Sequence, residues 1–143
     1  MNFDLTEEQA AMEQMARNFA EKEVVPNLKK EEFNRDLVSK MGELGLFGSA
    51  FPEGMGGSNS GFLAHSIVCE QISTYDSGLR ALFNLQAMTV PYTMMEWGND
   101  AVRRKYVKGL VTAEKLGCTC FSEPNAGSDI AAIEAKVVDK GDY

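Results

Sequence analysis

The segment from Cys118 to Asp129 carries the residue types best suited to holding a ligand. It begins with a short run that favours a β-strand and ends in a turn rich in proline, glycine and small polar residues. Gly127 lets a ligand approach the backbone closely, while Ser122, Asn125 and Ser128 add hydrogen-bonding groups with little bulk. Turns of this composition are also a common way to leave a strand. The residues alone therefore leave a ligand-binding loop and an ordinary turn both open.

Arg80 is the second chemical feature, because it is a cation among apolar residues of a predicted helix. A buried guanidinium needs an anion as its partner. That anion is either a carboxylate on a bound molecule or the side chain of Asp76, one helical turn earlier. Asn84, one turn later, could assist as a polar neighbour. The sequence does not decide between the two partners.

The remaining chemical residues favour structural interpretations. His65 is the one histidine and has no second histidine or carboxylate at ligand spacing, so we expect a packed or surface helix residue and no metal site. Cys69, Cys118 and Cys120 are interpreted as reduced thiols. The basic residues between Arg103 and Lys108 favour the solvated face of a helix over a phosphate clamp. Dinucleotide-binding, P-loop and nucleophile-elbow motifs are absent from the sequence.

Composition excludes several classes of partner. The 143 residues include 14 basic and 21 acidic side chains, and this net charge of -7 disfavours nucleic acid and anionic membrane surfaces. No run approaches the roughly 20 apolar residues of a membrane span. The start of the sequence has neither a secretory signal nor an arginine-rich transit segment, so the expected location is the bacterial cytoplasm.

Six amphipathic segments come before the loop and must position it. Thr6 and Gln9 form a capping-box pattern at the start of the first segment, and Gly45 is placed to end the second. Asp76 offers a cap for the fourth, and Pro91 suits the first turn of the fifth. The six segments with short links predict an all-helical domain over residues 1–116.

A strand-rich unit is predicted to begin near residue 117. Residues 116–122 suit a pleated strand, residues 135–139 alternate at period two, and residues 140–142 suit a hairpin turn. Two strands are too few for an independent sheet, so we expect residues 117–143 to be the truncated beginning of a β-domain.

Taken in order, these features resemble the flavin-dependent acyl-CoA dehydrogenase family. The resemblance is carried by Leu-Thr-Glu-Glu-Gln at the start, the Pro-Glu-Gly-Met-Gly-Gly loop at 52–57, the Gly-Asn-Asp helix start at 98–100, and Ser-Glu-Pro-Asn-Ala-Gly-Ser-Asp at 122–129. It covers essentially the whole sequence. It implies a mainly α fold, namely an up-and-down helical domain of about six helices followed by the first strands of a β-barrel-like middle domain.

The resemblance also implies a reaction. Members of the family remove a proton alpha to an acyl-CoA thioester while a hydride passes from the beta carbon to N5 of FAD. The implied cofactor-binding residues are Thr119, Cys120, Phe121, Ser122, Gly127 and Ser128. Ser122 stands where the family usually has threonine, whose hydroxyl and amide bind the flavin edge that becomes negative on reduction. Glu123 and Asp129 are expected to fix the loop, and the glutamate base is expected beyond Tyr143, leaving no catalytic residue in this sequence.

The substrate and partners follow from the same resemblance. Gly78-Leu79-Arg80-Ala81 is similar to the setting of an arginine that meets the far carboxylate of the substrate in the glutaryl-CoA dehydrogenase branch. The implied substrate-binding residues are Arg80, Ala81 and Ser128. Bulky Leu79 and Phe83 favour a larger dicarboxylyl or cyclic carboxyl thioester. The family implies electron-transfer flavoprotein as electron acceptor and a homotetramer. The alternative function is a catalytically silent helical interaction module, should the natural chain end near Tyr143.

Overall fold

A computed structural model describes residues 4–28 and 32–141. The first helix, α1 (Glu7–Phe19), continues through a π-turn (Ala20–Val24) into a 3₁₀ turn (Val25–Asn27). Its predicted capping box is confirmed: the amide of Gln9 donates to Thr6 Oγ1 at 3.2 Å, and the amide of Thr6 donates to Gln9 Oε1 at 3.0 Å. The local sequence thus starts the helix where the two orphan amides find side-chain acceptors.

The other helices follow with short connections. They are α2 (Arg35–Glu43), α3 (Gly61–Ser73), α4 (Ser77–Asn84), α5 (Val90–Trp97), α6 (Asp100–Val102) and α7 (Lys108–Val111). Short 3₁₀ turns lie at Leu46–Gly48 and Glu53–Met55 between α2 and α3. Gly45 adopts the predicted left-handed conformation, with φ of +70°, directly after α2. Among the described residues no helix is both long and apolar enough to cross a membrane.

Pro91 lies in the first turn of α5, as predicted, but α4 and α5 are not separate helices. A π-turn (Leu85–Thr89) joins α4 directly to α5, so one helical stretch runs from Ser77 to Trp97. The amide of Val90 bonds the carbonyl of Leu85, five residues back, and this wider turn makes room for a proline ring that would otherwise meet the preceding turn. A third π-turn (Arg103–Val107) joins α6 to α7 in the same way.

The core lies between α1, α2, α3 and α4. Its largest members are fully enclosed aromatic and aliphatic side chains, namely Phe47, Phe83, Met41, Leu46 and Ile72. A smaller cluster forms around Phe51, Val107 and Val111, where α7 covers the glycine-rich loop. This pattern confirms the predicted mainly helical fold class, with one apolar face of each amphipathic segment turned inward.

The predicted strands at 116–122 and 135–139 are not formed in the described part of the chain. The one β-type contact there is an isolated antiparallel bridge between Glu123 and Ala126. An extended segment becomes a strand only when a neighbouring strand takes up its backbone hydrogen bonds, and no described residue does so here. At the predicted hairpin turn Gly141 has φ of +86° and bonds Asp139, while Asp142 lies outside the described residues.

Candidate cofactor and substrate site

The loop at 122–129 is held closed by Glu123. The amide of Glu123 bonds the carbonyl of Ala126 at 2.8 Å, and the reverse bond measures 3.2 Å. Its carboxylate also accepts from the amides of Glu134 and Ala135, at 2.9 and 2.7 Å. The side chain of Glu123 thus ties the loop to the chain that follows it, in agreement with the fixing role expected for it. Asp129 forms a backbone turn through its carbonyl to Ala132.

The predicted cofactor-binding residues lie on the open side of this loop. Thr119 is half-buried, and the exposed ones are Cys120, Phe121, Ser122, Gly127 and Ser128. Nothing lies within 4 Å of the position that a Cβ atom on Gly127 would occupy. The backbone amides of Gly127 and Ser128 have no protein acceptor in the described part of the chain. Free amides beside open space are what a planar ligand with hydrogen-bond acceptors along its edge requires.

Arg80 is half-buried on α4, and Asp76, the local partner considered for it, bonds to the helix backbone instead. Asp76 Oδ1 accepts from the amide of Leu79 at 2.9 Å and caps α4. No ion pair joins Arg80 to a carboxylate within the described residues. Ala81 is exposed beside it. The guanidinium therefore keeps its capacity to bind an anion supplied from outside.

Polar groups of α3 and α4 surround the same region. The thiol of Cys69 donates a hydrogen bond to Asn84 Oδ1, with 3.6 Å between the two atoms. Burial raises the pKa of the Cys69 thiol, and the charge of Arg80 and the Asn84 contact oppose that effect. Burial therefore favours the neutral form of the Cys69 thiol. Cys69, Cys118 and Cys120 are all free of disulfide bonds.

His65 is a packed helix residue, which is one of the two positions expected for it. Its ring stacks on Phe83 with centroids 4.9 Å apart, and it is buried. Burial lowers its pKa, and the hydrogen bond to Asn84 acts in the opposite direction. Its Nδ1 atom has no partner among the described residues. Within residues 4–28 and 32–141, no three histidine, cysteine or acidic side chains come close enough together to hold a metal ion.

Most of the basic residues between Arg103 and Lys108 form the predicted solvated face, in the π-turn before α7 and at the first residue of α7. Arg104, Lys105 and Lys108 are exposed. Arg103 lies 3.8 Å from the carboxylate of Asp100 and donates to the carbonyl of Glu96 at 3.3 Å.

Sequence reasoning missed the residue that connects this helical body to the loop segment. Gln86 is 1% exposed and donates from Nε2 to the carbonyls of Leu110 and Lys115, at 2.6 and 2.8 Å. Its Oε1 accepts from the amide of Gly117 at 3.0 Å. The available signal was a glutamine within the apolar run of a helix, which predicts a buried amide but not its distant partners.

Known proteins match this chain over most of its length. The family model described as acyl-CoA dehydrogenase, N-terminal domain, matches residues 6–114. A glutaryl-CoA dehydrogenase of Desulfococcus multivorans is 37% identical over all of this chain and 39% of its own length. The chain thus spans about two-fifths of the length of that relative.

Solved structures of similar proteins share the fold of this chain. The structure of a glutaryl-coenzyme A dehydrogenase in complex with glutaryl-CoA matches 93% of this chain and 35% of its own, with 37% identity and a TM-score of 0.86. An acyl-CoA dehydrogenase from Bacillus anthracis, complexed with FAD, matches 92% of this chain and 23% of its own, with 28% identity and a TM-score of 0.84.

Proposed function

This chain belongs to the acyl-CoA dehydrogenase family, and on that premise we propose that it forms the N-terminal part of an FAD-dependent acyl-CoA dehydrogenase. The observation that carries the proposal is the loop at 122–129, closed by Glu123 and presenting the unpaired amides of Gly127 and Ser128. In such an enzyme FAD accepts a hydride from the beta carbon of an acyl-CoA thioester. Residues 1–116 then act as the helical domain and residues 117–143 as the beginning of the middle β-domain.

Each residue of the loop has a distinct part in this proposal. Ser122 and the neighbouring backbone hydrogen-bond the flavin edge, with Thr119, Cys120 and Phe121 leading into it. Donors fixed at that edge stabilise the negative charge that reduction places there. Gly127 leaves space for close approach, and Ser128 borders both cofactor and thioester. The glutamate that removes the alpha proton is proposed to lie outside these 143 residues.

The substrate proposed is a thioester with a second carboxylate, either a dicarboxylyl or a cyclic carboxyl-CoA. Arg80 supports this, because it is half-buried and lacks a carboxylate partner in the described part of the chain. Ala81 beside it leaves space for the acyl group. We further propose a cytoplasmic homotetramer that passes electrons to electron-transfer flavoprotein.

The test of the reaction uses the complete protein. Purified protein should show a flavin spectrum that bleaches anaerobically when an acyl-CoA substrate is added. Ser122→Ala should weaken FAD binding and slow bleaching, Ser122→Thr should retain both, and Ser73→Ala on the exposed side of α3 should change neither. A colourless protein indifferent to added FAD would refute the proposal and favour the silent interaction module.

The test of the substrate uses Arg80→Ala. Losing a charge-assisted bond of about 1.5–3 kcal/mol should raise KM about 10–150-fold for dicarboxylyl thioesters. Plain acyl-CoA thioesters should be affected much less, and Arg104→Ala on the solvated face should leave both classes unchanged. Equal losses with both substrate classes would show that Arg80 acts structurally.

A further inference from the structure

The junction between the helical body and the loop segment is built around one buried side-chain amide. Gln86 lies in the π-turn between α4 and α5 and is 1% exposed. Its amide nitrogen donates to Leu110 and Lys115, and its carbonyl oxygen accepts from Gly117. Both kinds of polar atom on the amide are therefore used, which is the condition for burying such a group without a large cost.

These bonds reach far along the chain. The partners of Gln86 are 24, 29 and 31 residues away, at the end of α7, in the turn after it and at the start of the extended segment. They hold three separate backbone positions against the helical stretch from Ser77 to Trp97. A side chain that only filled core volume would need none of them.

Neighbouring contacts make the same junction rigid. Arg35 Nη2 donates to the carbonyls of Ala113 and Glu114, at 2.9 and 3.2 Å. Ala113 has a φ of +59°, a conformation that a residue with a side chain adopts only when its surroundings impose it. At Gly117 a Cβ atom would lie 2.7 Å from Val90 Cγ1, so the segment passes directly against α5.

We propose that Gln86 is a positioning residue for the flavin-binding loop, acting through the backbone of Lys115 and Gly117. Thr119 is only two positions after Gly117, at most about 7 Å along the chain, so a change in direction at Gly117 displaces the first of the cofactor-binding residues. Gln86 thereby sets where the loop amides meet the cofactor. This inference rests on the proposed function, since it assumes that the loop binds FAD.

The experiment compares Gln86→Leu with Gln71→Leu in the complete protein. Gln71 is the matched control because it is also buried and hydrogen-bonded, to Arg17 and Glu13 at 3.1 and 3.4 Å, but not to any of residues 110–117. Two quantities are measured, namely native-state tryptic cleavage after Lys115 and the dissociation constant of FAD on reconstitution of the apoprotein. Cleavage after Lys40, an exposed lysine on α2, reports general loosening.

Gln86→Leu should raise cleavage after Lys115 at least tenfold relative to cleavage after Lys40, and should raise the dissociation constant of FAD at least tenfold. Gln71→Leu should change both by less than threefold. If Gln86→Leu does not fold, Gln86→Asn, which keeps the amide but shortens its reach, should show the same direction of change.

The outcomes separate the two proposals. Wild-type protein that binds no FAD would refute the proposed function. Wild-type protein that binds FAD, with equal FAD affinity in the Gln86 and Gln71 variants, would overturn the role of Gln86 alone. Faster cleavage after Lys115 without a change in FAD affinity would also overturn it, because the junction would then move without moving the cofactor site.

Discussion

Replacing Phe83 with alanine is expected to lower the free energy of unfolding by about 3–5 kcal/mol, because the ring is fully buried and its loss leaves a cavity. The ring lies between Phe47 and His65, with centroid distances of 5.7 and 4.9 Å. Phe83→Leu keeps most of the volume but loses both ring contacts. At about 0.5–1.5 kcal/mol for each contact, that change should cost about 1–3 kcal/mol.

Urea denaturation followed by far-UV circular dichroism measures these costs, since the fold is mainly helical. Phe62→Leu is the control, because Phe62 is 54% exposed and also contacts one aromatic ring, that of Tyr92. It should cost less than about 1 kcal/mol. If Phe83→Leu were no more destabilising than Phe62→Leu, the packing of α3 on α4 through Phe83 would be refuted.

Three further predictions concern single positions. Burial lowers the pKa of His65, so the unfolded chain binds the proton first, and the free energy of unfolding should fall as the pH drops below about 6.5. His65→Gln should remove this dependence from the pH profile of the urea midpoint. Identical pH profiles for the wild type and the variant would contradict the prediction. Gly57→Ala should lower the free energy of unfolding by about 1–3 kcal/mol, because the new Cβ overlaps the carbonyl oxygen of Phe51. The thermal midpoint should fall accordingly, whereas Gly54→Ala should not lower it, because the space around Gly54 is open. Thr6→Ala should cost about 1 kcal/mol through loss of the capping box, seen as faster amide exchange in the first turn of α1; unchanged exchange there would show that the cap contributes nothing.

Features that depend on neighbouring residues were predictable from the sequence. The capping box at Thr6, the cap at Asp76 and the left-handed Gly45 each follow from interactions within about four residues, and all three are present. For His65 the sequence excluded neither a packed nor a surface position on its helix, and the structure shows the packed one. The helical fold class was accessible for the same reason, since amphipathic periodicity is local.

Features that depend on distant partners were not predictable. The first-turn position of Pro91 was predictable, but the π-turn that joins its helix to α4 was not, because proline rules assume a regular α-helix. The strands at 116–122 and 135–139 needed partners that no described residue supplies. Gln86 was visible only as a polar residue in a helix, since its partners lie 24 to 31 residues away. The boundary near residue 117 and the cofactor-binding residues stay predictions.

The continuous helix from Ser77 to Trp97 relates the two proposed sites to each other. Arg80 and Gln86 are six residues apart, or about 9 Å along the axis, and at 3.6 residues per turn their side chains leave the helix on different sides. On one side of the helix, Arg80 lies near Cys69 and Asn84. On another side, Gln86 contacts the backbone of Leu110 and Gly117. Gln86 is the second residue of the π-turn that begins at Leu85. The spacing between the arginine proposed to bind the substrate carboxylate and the junction proposed to position the flavin loop is therefore set within one continuous helical stretch.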